Sequence, residues 1–192
     1  MINMNKLAKA ISISAFSTVI MLGATQTWAA GSHSGSHGAK ASIGEPGKAG
    51  KATRTIEVKM FDNYFEPESF AVKEGETIRF VVKNDGEFVH EFGIGTTASH
   101  AAHQKEMMMM MEHGALEADK INHKMMKMDM GGGKMMGHSD PNSVLLEPGK
   151  SGEVIWKFSK ANAIEFACNV PGHYEAGMMG HVRFKGQLGT GS

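Results

Sequence analysis

Cysteine is nearly absent from this chain: Cys168 is the single one in 192 residues. One thiol cannot close an internal disulfide, so a cross-linked scaffold is excluded and Cys168 is either a small buried hydrophobe or a reactive or metal-bound thiolate. An excess of charge of one sign is missing too, because 20 basic residues stand against 20 acidic ones. No cationic field is therefore available for nucleic acid or for an anionic membrane. Long apolar runs are lacking: the segment Ala10 to Gly23 is short and broken by Ser and Thr, which argues against a committed membrane span. No Ser-His-Asp arrangement, phosphate-binding loop or carboxylate pair presents itself.

What the chain does have is 17 methionines, 10 histidines and 24 glycines. Thioether and imidazole are both copper-competent donors, and glycine in this quantity suits a loop-rich β protein. At 20.7 kDa with 41% hydrophobic residues, the chain suits one domain plus extensions.

Residues 1–29 read as a secretory signal peptide. Lys6 and Lys9 form its positive region, Ala10 to Gly23 its apolar region, and Thr27-Trp28-Ala29 a small-x-small cleavage site. Export to a periplasm is the expectation, with no stable membrane insertion after cleavage. Residues 30–53, rich in Gly, Ser, Ala and Lys with His33 and His37, read as a flexible linker. Cleavage after Ala30 would expose Gly31-Ser32-His33, a free amine with His at position three, which suits square-planar Cu(II). A mature start at Ala30 removes that idea.

From Arg54 the pattern changes to period two. Ile56, Val58 and Met60 alternate with polar residues, as do Ile78, Phe80 and Val82, and then Val154, Trp156 and Phe158. Further strands are expected over 70–73, 88–94, 143–146, 163–168 and 181–185, divided by Glu74-Gly75, Asn84-Asp85-Gly86 and Pro148-Gly149 turns. Seven or eight short strands of this kind predict an all-β, Greek-key sandwich over residues 54–188, with a short polar tail at 189–192.

Residues 96–141 interrupt the series. This insertion holds the clusters Met107, Met108, Met109, Met110 and Met111, then Met125, Met126, Met128 and Met130, then Met135 and Met136. His100, His103, His113, His123 and His138 are interleaved with them. The spacing of His100, His103 and Met107, with frequent Glu and Lys, predicts partial helix over 101–128, ended by Gly131-Gly132-Gly133. Soft, neutral thioethers favour Cu(I) and imidazole accepts either oxidation state, so these 16 side chains form a candidate auxiliary copper-collecting segment. A passive low-complexity loop whose methionines scavenge oxidants is the plainer reading.

The most informative stretch is Ile164 to Lys185. Cys168, His173 and Met178 are spaced along a turn that leaves one strand and enters another, with Pro171-Gly172 and Ala176-Gly177 giving the chain room to return. A thiolate, an imidazole and a thioether, joined by a second imidazole from His90, make the donor set of a trigonal copper site with a weak axial sulfur. Parity puts Cys168 on the core side with Ile164 and Phe166. Val170, Pro171, Ala176, Gly177 and Met179 are expected to surround His173 with an apolar docking patch, and His181 to face solvent.

The order His90, then Cys168-x4-His173-x4-Met178, near the end of a small β-sandwich resembles the cupredoxins, the type 1 blue-copper family that includes plastocyanin and rusticyanin. With the exported chain and the Met/His insertion, it is most similar to periplasmic copper-resistance cupredoxins of the CopI type. The resemblance implies one type 1 copper as cofactor, held by His90, Cys168, His173 and Met178. The Cys-to-His spacing is longer than in plastocyanin, and Glu91 stands where plastocyanins and azurins carry an Asn that ties the two ligand loops together.

The functional expectation is copper tolerance through binding and redox cycling of copper, by a monomer that meets copper ions and a redox partner protein. The alternative is a general electron carrier between c-type cytochromes or a terminal reductase. Multicopper oxidases and nitrite reductases need more domains than 192 residues hold, so the chain reads as no enzyme, Cu(I) oxidation at the insertion being the one activity left open.

Overall fold

The computed structural model describes residues 43–129, 136–159 and 163–186. The signal peptide, the His33 and His37 stretch, Met130, Met135, the triple glycine and the tail lie outside them.

In chain order the strands are β1 (Gly44–Pro46), β2 (Arg54–Met60), β3 (Phe65–Glu66), β4 (Ser69–Val72), β5 (Thr77–Asn84), β6 (His90–Gly95), β7 (Ser143–Leu146), β8 (Ser151–Phe158), β9 (Ile164–Ala167) and β10 (Met179–Phe184). Helix α1 (Thr97–Glu112) follows β6. One sheet has the order β1-β8-β5-β2-β3 and the other β4-β10-β9-β6-β7. β2 with β5 and β4 with β10 run parallel. The other pairs are antiparallel. The all-β sandwich expected from the alternation is the observed architecture.

Period two explains why the two sheets stack. Val58 and Met60 of β2, Ile78, Phe80 and Val82 of β5, and Val154, Trp156 and Phe158 of β8 are buried, while Glu57, Lys59, Arg79 and Lys157 between them are exposed. Phe65, Phe80 and Phe158 from one sheet meet Phe70, Phe92 and Phe166 from the other. Across the sheets Phe70 meets Phe80 at 5.0 Å and Phe65 meets Phe166 edge-on at 5.2 Å, while Phe70 stacks on Phe166 within one sheet at 4.8 Å. Burying one such ring stabilises by roughly 1.5–3 kcal/mol, so this aromatic layer contributes substantially to cohesion between the sheets.

Two segments depart from the sequence pattern. The linker expected over 30–53 contains β1, which pairs antiparallel with β8 through Gly44, Glu45 and Pro46. Main-chain hydrogen bonds need no apolar periodicity, so this edge strand leaves no hydrophobic signature. The helix also runs earlier than expected and stops at Glu112, far short of the triple glycine. Its start is a capping box: Ser99 N–H donates to Thr96 Oγ1 at 3.2 Å and Thr96 N–H to Ser99 Oγ at 2.8 Å. Beyond it, the insertion holds a Leu116–Ile121 bridge and a 3-10 turn at Met125–Lys127.

β6 is buried on both faces. Its even positions, Phe92 and Ile94 with His90, face the aromatic layer; its odd positions, Glu91, Gly93 and Gly95, face α1. A Cβ at Gly95 would lie 2.6 Å from Ser99 Oγ and 2.8 Å from His100 Nε2, so only glycine lets the helix come this close. Helix α1 therefore forms a third layer over the sheet that carries His90.

Candidate metal centre

His90 opens β6 and Cys168 follows β9 directly, and these two strands pair through Gly93 with Ala167 and Ile94 with Phe166. The pairing brings the ends of both strands together. His173 reaches the same point from the loop after Cys168. His90 Nδ1 lies 3.1 Å from His173 Nδ1, and Cys168 Sγ lies 3.8 Å and 3.4 Å from those two nitrogens.

The loop holding His173 and Met178 is closed by its own backbone. Met178 N–H donates to the His173 carbonyl at 3.0 Å, and Cys168 N–H donates to the Met178 carbonyl at 3.1 Å. Gly172 and Gly177 stand at φ +88° and +94°, the left-handed region that these two reversals require. Met178 is wholly buried, whereas Met179, the first residue of β10, is half-buried. Val170 is buried too and so takes no part in a surface patch, while Ala176 and Gly177 are exposed and Pro171 is half-buried. His181 is exposed, as its parity predicts.

His90 and Cys168 each have a partner that fixes them. His90 Nε2 lies 3.1 Å from Asp62 Oδ1, which also accepts the Glu87 N–H at 2.8 Å and the Phe88 N–H at 3.3 Å. That contact turns the other ring nitrogen toward Cys168, the role a carboxylate behind a ligating histidine performs. Cys168 Sγ accepts the Glu91 N–H at 3.3 Å. Burial pushes the Cys168 thiol up to about 12, so the metal-free chain keeps its proton and only a cation with strong affinity for sulfur displaces it. Burial also lowers His90 and His173 below the usual imidazole range, opposed at His90 by Asp62, which keeps both rings neutral and free to donate.

Sequence reasoning missed Asp62, and it left the consequence of Glu91 unresolved. Glu91 Oε2 accepts both Asn169 Nδ2 at 2.7 Å and Asn169 N–H at 3.3 Å. The tie between the two ligand loops is therefore present, made by a carboxylate after His90 and an amide after Cys168. The signal available was the pair of polar residues each adjacent to a ligand. Asn169 Oδ1 in turn meets His100 Nδ1 at 3.1 Å.

A second cluster lies on the outer face of β6. Glu91 Oε1 is 3.1 Å from His103 Nε2 and 2.5 Å from His138 Nε2, and those two nitrogens are 3.1 Å apart. Burial would raise Glu91, but the two histidines hold its carboxyl well below the usual carboxylate range. Burial likewise works against charge on His103, yet Glu91 brings it up to about 9.

The other insertion residues divide by exposure. Met107, Met110 and Met136 are buried with the apolar core, and Met111, Met125 and Met126 pack partly against it. Met108, Met109 and Met128 are exposed, as are His113, whose Nδ1 meets the Met109 carbonyl, and His123.

A family model described as a cupredoxin-like domain matches residues 18–106. The copper-resistant cuproprotein CopI of Pseudomonas aeruginosa is 50% identical over 146 residues, covering 73% of this chain and 81% of that one. The chain belongs to the CopI family of cupredoxins. CopI of Rubrivivax gelatinosus is 43% identical over 154 residues, covering 80% of this chain and 78% of the relative. Auracyanin B matches in fold, with a TM-score of 0.50 at 19% identity, covering 75% of this chain and 95% of auracyanin B. Membership of the CopI family agrees with the convergence of His90, Cys168 and His173 at one end of the sandwich. Among the described residues, no helix is long and apolar enough to cross a membrane.

Proposed function

We propose that this protein is a periplasmic copper-tolerance cupredoxin that holds one type 1 copper through His90, Cys168, His173 and Met178. The observation that carries this reading is the meeting of His90 Nδ1, His173 Nδ1 and Cys168 Sγ, all within 3.8 Å of one another, in a chain of the CopI family. The donor chemistry fits: one thiolate and two neutral imidazoles suit copper, and the buried thioether of Met178 completes the set. Copper bound there supplies one-electron chemistry between Cu(I) and Cu(II).

The chain's own contribution is to hold still. Asp62 fixes the ring of His90, the Glu91 N–H braces Cys168 Sγ, and two backbone bonds close the loop around His173. Donors positioned beforehand reduce the rearrangement that a change of charge demands.

The copper-collecting role of the insertion is narrower than its composition suggests. Buried Met107, Met110 and Met136 serve packing, whereas exposed Met108 and Met109 line a groove of about 560 Å³ together with Pro171 and Gly172, next to His173. Soft donors in this position suit capture of Cu(I) beside the ligand loop.

Deletion of the gene should lower growth in copper-rich medium and leave respiration in copper-poor medium intact. Impaired respiration with unchanged copper tolerance would instead support the general electron carrier. In purified protein, Met108→Ala/Met109→Ala should bind less Cu(I) than the parent, and equal Cu(I) stoichiometry would remove the collecting role.

A further inference from the structure

The cluster on the outer face of β6 is not a second view of the first centre. It shares no donor side chain with it. Glu91 comes from β6, His103 from α1 and His138 from the segment leading into β7, so three separate stretches of chain deliver one donor atom each. Glu91 and His138 are enclosed, their side chains 0% and 4% exposed, while His103 at 18% leaves one edge accessible.

The far sides of Glu91 and His103 are already occupied. Glu91 Oε2 is taken by Asn169, and His103 Nδ1 lies 3.0 Å from Glu106 Oε2. Ser143 Oγ adds an oxygen 3.3 Å from His138 Nε2. The carboxylate behind His103 turns its Nε2 inward, just as Asp62 turns in His90. Glu91 Oε1 and the two Nε2 atoms thus face one another at 2.5–3.1 Å, held together by protons on the imidazoles, and a cation that displaces those protons would find three donor atoms already converging on it.

We propose that Glu91, His103 and His138 form a second metal site, for a divalent transition ion and foremost Cu(II). Two imidazoles and a carboxylate are borderline-to-hard donors with no thioether among them, which selects against Cu(I). Among common divalent ions, affinity at such a site peaks at Cu(II). The site draws two of its donors from the insertion but depends on neither the exposed methionines nor the thiolate. Its position also links it to the first centre, since Glu91 follows His90 directly and its N–H meets Cys168 Sγ.

The test is Cu(II) titration of the full chain, carrying His33→Ala to remove the amino-terminal Cu(II) position, followed by electron paramagnetic resonance and visible absorption. One Cu(II) with a wide hyperfine splitting and no thiolate band should appear in addition to the thiolate-bound one. In His103→Ala/His138→Ala that signal should vanish, with one equivalent less Cu(II) bound and the thiolate band retained. Glu91→Gln should weaken the same signal, and Met108→Ala/Met109→Ala should leave it intact. Absence of the second signal in the His33→Ala chain overturns the proposal whether or not the variants fold, as does its persistence at full stoichiometry in the double histidine variant. A chain that shows this signal but no thiolate band would uphold the second site while removing the type 1 assignment.

Discussion

A histidine binds a metal with one nitrogen, and what holds the other decides how well. His90, as a proposed ligand, is arranged this way at the residue scale: Asp62 Oδ1 meets its Nε2 and two backbone N–H groups fix Asp62 in turn. Loss of such a partner typically costs about 10–100-fold in metal affinity. Asp62→Ala should therefore weaken copper binding by about that factor in a chelator competition, while the copper-loaded protein keeps its thiolate band. Asp62→Asn retains an acceptor oxygen and should recover most of the affinity. Equal affinity in the parent and in Asp62→Ala would show that the His90 ring is oriented by packing alone.

At the scale of the element, β6 does two jobs because its side chains alternate. Its even face supplies His90 and joins the aromatic layer, and its odd face is kept small or polar so that α1 can lie on it. Gly95 is where the helix comes closest. A methyl there would stand 2.6 Å from Ser99 Oγ, inside the capping box that starts α1. Gly95→Ala should destabilise the protein by about 1–3 kcal/mol, the usual cost of overpacking, seen as a lower urea midpoint with little change in slope. An unchanged midpoint would mean that α1 is not seated on β6 in solution.

At the scale of the whole molecule, the sandwich was legible wherever burial is one-sided. Val58 and Met60, then Ile78, Phe80 and Val82, then Val154, Trp156 and Phe158 declare their strands by period two, and all eight are buried as that period implies. Cys168, His173 and Met178 were legible from spacing, because their turn is local; His90 was legible as the histidine of a preceding strand. What remained hidden depends on contacts between distant residues. Strand β1 pairs through its main chain and a Glu45–Lys157 ion pair at 2.7 Å, with no alternating apolar residues to announce it. Asp62 reaches His90 across 28 positions, and His138 reaches Glu91 across 47. Composition alone made the insertion look like a uniform collection of soft ligands. Packing divides it into core methionines, exposed methionines beside the ligand loop, and two histidines turned onto Glu91.

All of these layers converge on Cys168, which is buried, braced by Glu91 and closed in by Met178. The absorption spectrum of the Cu(II)-loaded protein, recorded beside Cys168→Ser, bears on this assignment. An intense thiolate-to-Cu(II) band is expected in the parent and none in the variant. A parent that binds Cu(II) without that band would contradict a type 1 centre at His90, Cys168, His173 and Met178.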